Sequence, residues 1–358
     1  MPNTYYVTYG NSILTAGAAG SAISITSVDP YNPLGLPPYT IRVKYLPGYS
    51  PADSIGDTRT LVDSTENIWD ITKNSTDWHG LFLYQASPVR AVLGANTTGV
   101  TAMYSMFDGC SNLLSAEIFD TSAVTSFYRM FNGCSGLTHL PTYPTQSASV
   151  FSAMFMGCTA LQEIPPISTA GARYMGDMFR NCESITSLPA NLDTSSVVDF
   201  NGTFAGCENL VSASMVDTSS AQDCWSMFFR CEKLTTLPTL NLANCWRMKL
   251  MFGSCFVLEN VDIRNTGLVT DWEEAFSSCR KLKHIPAQLD TSSATNVNYT
   301  FYYCEEVESG ALALYQQLST QATPPSNHTK TFGYCGSQTV TGAAELAQIP
   351  SSWGGTAA

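Results

Sequence analysis

The sequence is poor in charge. Only 13% of its 358 residues are Asp, Glu, Lys or Arg, about half the usual share for a globular chain. With 17 basic against 29 acidic residues, the formal charge is -12. Nothing in that balance offers a footprint for nucleic acid or for an anionic membrane surface. Histidine is scarcer still, at four, which leaves little material for acid–base catalysis. No run of about 18 apolar residues occurs, so no membrane insertion is expected. The start, MPNTYYVTYGNSILTAGAAG, has neither a basic n-region nor a continuous apolar h-region, so a signal peptide is not expected. There is no H-E-x-x-H, no G-x-x-x-x-G-K-[ST] and no G-x-S-x-G, the patterns that would announce a zinc protease, a nucleotide site or a hydrolase elbow. Gly17-Ala18-Ala19-Gly20 is too short for a dinucleotide fingerprint and lacks its βαβ setting. No catalytic residue, cofactor or metal is expected.

Cysteine is plentiful by comparison, with 12 copies. Nine fall at Cys110, Cys134, Cys158, Cys182, Cys207, Cys231, Cys255, Cys279 and Cys304, spaced 24 or 25 apart. A fixed period in the twenties is the mark of a solenoid. Three residues before each of these stands Phe: Phe107, Phe131, Phe155, Phe179, Phe204, Phe228, Phe252, Phe276 and Phe301. Three residues after stands an aliphatic, such as Leu113, Leu137, Ile185 or Val307. Six after, Leu140, Ile164, Leu188, Leu237, Val261 and Ile285 recur, often followed by Pro. Between these runs lie Asp-Thr-Ser turns at Asp120, Asp193, Asp217 and Asp290.

One such coil cannot bury Phe, Cys and Leu alone; stacked coils close each column into a continuous core. At a ladder spacing of ~4.8 Å, nine coils make a rod of roughly 40 Å. The alternating run after each Cys reads as a strand, and the Met-Phe-x-x-Cys run, with its i, i+3 spacing, as one helical turn. Each Asp-Thr-Ser closes its turn by side-chain to backbone bonds, a better use of one carboxylate per coil than calcium, which takes about 6–8 oxygens. The cysteines read as buried reduced thiols rather than as a disulfide or metal framework, because no C-x-x-C pair and no histidine at ligand spacing accompany them. Cys224 and Cys245 replace residues of apolar columns, and Cys335, behind Phe332, looks like a last echo of the repeat.

The unit F-x-x-C-x-x-L-x-x-L-P…D-T-S-x-V resembles the BspA-like leucine-rich repeats, in the variant also found in mycoplasma surface proteins and in gut bacteria and their phages. The resemblance covers roughly residues 97–310. It implies a right-handed leucine-rich-repeat rod of about nine 24-residue coils, used for adhesion or protein contact and carrying no catalytic residues. The flanks fall outside the period. Residues 1–96 hold alternating runs and turn clusters and read as a β-rich docking domain that also caps the solenoid, with the stretch from Asn67 through Trp78 to Leu83 over the first coil. Residues 311–358 read as a C-terminal cap, opening with an amphipathic helix at Ala311–Leu318.

Chemistry is sparse. His139 and His284 share a column but lie six coils apart, roughly 29 Å at the ladder spacing, so they cannot share a metal. Arg280, Lys281, Lys283 and His284 read as a solvated face. Asp53, Asp57, Asp63 and Glu66 are the carboxylates available to a glycan hydrolase, but nothing pairs them as glycoside hydrolysis requires. The more informative feature is aromatic side chains in columns that are otherwise polar. Six residues before Cys, where Ser152, Asn201 and Glu273 are typical, stand Tyr104, Tyr128 and Trp225. Eight before, among Asp199, Asp223 and Asp271, stands Tyr174; nine before, among Thr101, Ser149 and Thr270, stands Trp246. Exposed aromatics on a repeat scaffold suit stacking on sugars or anchoring an interface; the alternative is that they cover gaps or meet a sister chain. These features lead to the expectation of a non-enzymatic virion appendage of a tailed phage, a tail fibre or receptor-binding protein. Its partners would be a host surface glycan or protein receptor, other virion proteins held by the N-terminal domain, and sister chains, a trimer being the common case. The alternative is a bacterial cell-surface adhesin of the BspA-like type.

Overall fold

The computed structural model describes residues 6–9, 12–15, 24–27, 31–51, 58–83, 89–117 and 119–357. Strands β1 (Tyr6–Tyr9), β2 (Ser12–Thr15) and β3 (Ser24–Ser27) form one antiparallel sheet in that order. Strands β4 (Thr40–Tyr45), β5 (Thr58–Asp63), β6 (Ile68–Thr72) and β7 (Val89–Asn96) form a second, ordered β5-β6-β4-β7. Strict alternation explains β4: Ile41, Val43 and Tyr45 are buried, while Arg42 points the other way and forks onto Asp70 at 2.7 Å. The second sheet continues into the repeats, because β7 pairs in parallel with β8 (Ser115–Ala116), which follows Cys110.

From there the chain is a repeat solenoid. Its axis is a column of stacked phenylalanines from Phe82 to Phe332, with neighbouring ring centroids 5.0–6.1 Å apart. All are fully buried. Each repeat's thiol sits beside this column and donates to the carbonyl of the preceding Phe: Cys134 Sγ to Phe107 at 3.2 Å, Cys182 Sγ to Phe155 at 3.1 Å, Cys304 Sγ to Phe276 at 3.1 Å. The residue eight before each Cys makes the main parallel ladder, from Ser126 through Val150, Tyr174, Asp199, Asp223, Arg247 and Asp271 to Asn296 and Asn327.

Two local expectations need correction. The Met-Phe-x-x-Cys run is not helical. Its residue five before Cys has φ of 54–59° and its residue one before Cys has φ of 57–79°, in every repeat from Ser105 to Tyr303. Alternate amides serve different partners: Ser105, Phe107 and Gly109 donate to Tyr128, Met130 and Asn132 of the next coil, while Met106, Asp108 and Cys110 donate three residues back. A helix would turn every N–H along its own axis and leave none to join coils; a chain of turns with left-handed third positions divides them. The run after Cys is not a continuous strand either. Beyond β8 it pairs only locally, as Ser187–Ser212–Thr236 and His284–Ser309, and as β9 (Leu240–Asn241) with β10 (Ile263–Arg264).

The Asp-Thr-Ser turns close as expected, with Ser195 N and Ser219 N donating to Asp193 and Asp217 Oδ1 at 3.0 and 2.8 Å. The threonine at this place in the coil does more, also in coils where Asp and Ser do not flank it. Thr97, Thr145, Thr194, Thr218 and Thr266 are buried and donate to a carbonyl of the next coil, at 2.5–3.0 Å. Thr194 Oγ1 also accepts from Asp217 N at 2.7 Å. Thr194→Val keeps the shape but strands both groups, so it is expected to cost about 1–3 kcal/mol in chemical denaturation, with Thr194→Ser near the parent. Equal stability of the valine variant would remove this role.

Both ends are closed by pieces of the same geometry. Residues 77–82 form a partial coil without cysteine: Trp78, Gly80 and Phe82 donate to Ala102, Tyr104 and Met106, and Phe82 begins the aromatic column. At the other end helix α1 (Ala311–Ser319) buries Ala311, Leu314 and Leu318. Residues 327–335 then add a further turn of the ladder, covered by helix α2 (Val340–Leu346) and Trp353.

Candidate functional site

In an extended ladder, residues two apart share a face. The columns eight and six before Cys therefore look the same way, outward, while the column between them (Phe127, Phe151, Met175, Phe200, Cys224, Met248) is buried. Tyr104, Tyr128 and Tyr174 lie on this outward face and are 38%, 42% and 44% exposed. Tyr104 stacks on His79 at 4.7 Å, and His79 Nδ1 lies 2.6 Å from Asp77 Oδ1.

The structure joins Trp225 and Trp246 through a residue that sequence reading did not single out. The Arg247 guanidinium lies 4.6 Å from the Trp225 ring and 4.7 Å from the Trp246 ring, and its Nε donates to Asp223 Oδ1 at 3.0 Å. Trp246 stays 47% exposed, whereas Trp225 is half-buried, its Nε1 enclosed with no hydrogen-bond partner among the described residues. Of the five aromatics, Trp225 and Trp246 thus meet through Arg247 at the edge of this face, Tyr104 is set against His79, and Tyr128 and Tyr174 stand exposed on the outward columns. Tyr104 and Trp246 are six coils apart, roughly 29 Å at the ladder spacing.

The same face carries a graded set of charges. Burial raises the Asp199 carboxyl above its ordinary value, helped by the charges of Asp223 and Asp177. Further along, the hydrogen bond from Lys249 at 2.8 Å holds the Glu273 carboxyl below the usual carboxylate range. Asn296 Nδ2 bridges Asp271 and Glu273 at 3.1 Å each. Such a surface presents ring faces beside amides, carboxylates and cations already paired with one another. It suits reversible binding of a polar ligand; no group of three or more His, Cys, Asp or Glu side chains able to hold a metal occurs among the described residues.

The remaining candidates are accounted for locally. Asp53 and Asp57 lie outside the described residues. Asp63 Oδ1 accepts from Thr65 and Glu66 in its own turn, and Glu66 pairs with Lys44. Lys281 and Lys283 both pair with Glu306, His284 meets Ser309 at 3.1 Å, and Arg280 lies over Phe256 at 5.4 Å. A shallow cleft of about 700 Å³, lined by Gln162, Glu163, Ser187, Leu188, Pro189 and Asn209 among others, contains none of the aromatics named from the sequence. No helix among the described residues is long and apolar enough to cross a membrane.

No curated protein matches the chain. Among solved structures it is similar to the complex of TLR13 with ssRNA13, at 12% identity over 67% of this chain and 41% of that one, with a TM-score of 0.21. It is also similar to the plant peptide hormone receptor RGFR1 in complex with RGF2, at 15% identity over 52% of this chain and 43% of that one, with a TM-score of 0.14. The chain spans about two fifths of the length of those structures, and at such scores neither likeness bears on the fold. The family described as "Mycoplasma protein of unknown function, DUF285" matches in three tandem, overlapping segments, 76–187, 162–263 and 246–319. The first segment starts at the cysteine-free partial coil and the last ends with helix α1, so the chain belongs to this repeat family.

Proposed function

We propose that the chain is a non-enzymatic binding protein, a tailed-phage virion appendage of the tail-fibre or receptor-binding kind. In this reading the solenoid is a right-handed leucine-rich-repeat rod of about nine 24-residue coils. Its outward ladder face meets a host surface glycan or protein, the N-terminal strands dock it to other virion proteins, and sister chains assemble beside it. The observation that carries the reading is the set of aromatic side chains on ladder columns that are otherwise polar. Exposed rings of this kind are the usual anchors of recognition surfaces. The family match to mycoplasma proteins favours a second reading, a bacterial cell-surface adhesin of the BspA-like type.

Mass spectrometry and immunogold labelling of purified virions separate the two. Decoration of particles is the expected result; the protein on cells but absent from virions would favour the adhesin. In either setting Trp246→Ala and Tyr128→Ala are expected to weaken binding to host envelope fractions roughly tenfold or more. Unchanged binding in both variants would remove the ladder face from the function.

A further inference from the structure

We propose a separate site for a neutral glycan at the C-terminal end of the solenoid, built from Tyr299, Tyr302, Tyr303 and Tyr334. The rings of Tyr303 and Tyr334 stack at 4.6 Å with 2° between their planes. Tyr302 stands edge-on to both, at 4.3 and 5.9 Å, and Tyr299 edge-on to Tyr302 at 5.3 Å. Lys330 Nζ lies 5.9 Å from the Tyr302 ring. Tyr334 is 52% exposed and the other three are half-buried. Tyr302 rests on Gly333, where a Cβ would come within 2.7 Å of its ring, so the cluster is held in one arrangement before any ligand arrives.

The fold itself has no use for rings here. The position one before Cys is left-handed in every coil, and elsewhere Gly109, Gly133, Gly157 and Gly206, or the ring-free Asn181, Arg230, Ser254 and Ser278, fill it. Tyr303 and Tyr334 hold the same backbone at φ 58° and 60°, and Tyr299 is left-handed at 54°. A bulky residue in that region is strained where glycine is not. Among the left-handed positions of the described repeats only Tyr299, Tyr303 and Tyr334 carry a tyrosine, and all three gather at this one place.

The occupant follows from charge and size. Each chain carries a formal -12, which disfavours an acidic ligand. Four rings also cover far less than the ~1,200–2,000 Å² that a stable protein interface buries. A neutral sugar fits both constraints. Its C–H face lies on a ring, and its hydroxyls meet the phenols and the Lys330 ammonium at the rim. These residues lie off the outward ladder columns, so the site stands independently of the ladder-face reading.

The test is saturation-transfer NMR on the intact chain with maltohexaose, cellohexaose and mannohexaose, repeated on Tyr303→Gly/Tyr334→Gly and on Trp246→Ala. Binding of at least one hexasaccharide is expected, weakened roughly tenfold or more by the double glycine variant and unaffected by Trp246→Ala, with the glycine variant's Tm unchanged or raised. The inference fails if no hexasaccharide binds, or if binding survives the glycine variant. It also fails if binding is lost in Trp246→Ala, which would move it to the ladder face. A fall in the Tm of the glycine variant would make the rings packing groups, and a dimer in sedimentation that the variant dissolves would make the occupant a second copy.

Discussion

Taking the protein from pH 8 to pH 10 is expected to remove most of its folding free energy. Eleven of its twelve thiols are pushed up, ten of them by burial; Cys110, Cys158 and Cys279 rise to about 12 and the others move in the same direction. Cys224 is raised first by its hydrogen bond with Cys245, which is itself lowered by that bond and stands as the exception. In the unfolded chain a thiol ionises near 8.5. Above that pH the folded state holds protons that the unfolded state has released, so stability falls as pH rises and is fully present below it. Each thiol contributes about 1.4 kcal/mol per pH unit in that window. Only coils that open together add their thiols, so the fall steepens with the number of coils in the cooperative unit; two coils already lose about 3 kcal/mol per pH unit, a sizeable part of a typical domain's stability. Urea denaturation followed by circular dichroism, in reductant, at half-unit steps from pH 7 to 10.5 reads this directly. A midpoint that stays constant to pH 10 would show that the thiols are not the buried donors described above.

The second large effect is expected from Phe155→Ala. The Phe155 ring lies 5.9 Å from Phe131 and 5.7 Å from Phe179, fully buried in mid-column. Truncating it removes two stacked contacts and leaves a void that the rigid ladder cannot close, at a cost of about 3–5 kcal/mol. Phe332→Ala, at the end of the column, should cost less in global unfolding, because in a one-dimensional array a weakened end frays without melting the centre. Denaturant midpoints of the two variants measure the contrast. Equal losses at both positions would mean that the rod does not melt as coupled coils.

The columns of Phe, Cys and Leu were legible in the sequence because each recurs at one spacing and belongs to one chemical class. The turns around them were not. Their two left-handed positions are occupied by Gly in some coils and by Arg230, Leu250 or Tyr303 in others, so composition gives no sign of them; they arise from the need to send alternate amides to the next coil. The partial coil at Phe82 was hidden because it has no cysteine, although its distance of 25 residues to Phe107 keeps the period. The buried threonines were visible only as parts of turns, since a hydroxyl that bonds across coils looks the same in sequence as one that bonds within a turn. In the site, the exposure of Tyr104, Tyr128, Tyr174 and Trp246 followed from their columns. The burial of Trp225 did not, because it depends on Arg247 from the following coil. The C-terminal tyrosines escaped notice because their columns are mixed, with Arg129, Leu250, Arg180 and Phe229 beside Ser and Gly, so a ring there breaks no pattern.

The thiol beside each phenylalanine has a use beyond holding coils together. Every cysteine of the chain is buried, and nearly every coil contributes one. An alkylating reagent can therefore reach a given sulfur only while its own coil is open. Mass increments mapped to individual cysteines would then give the lifetime of each coil separately, turning the rod into a ruler graduated along its length on which breathing can be timed from either end.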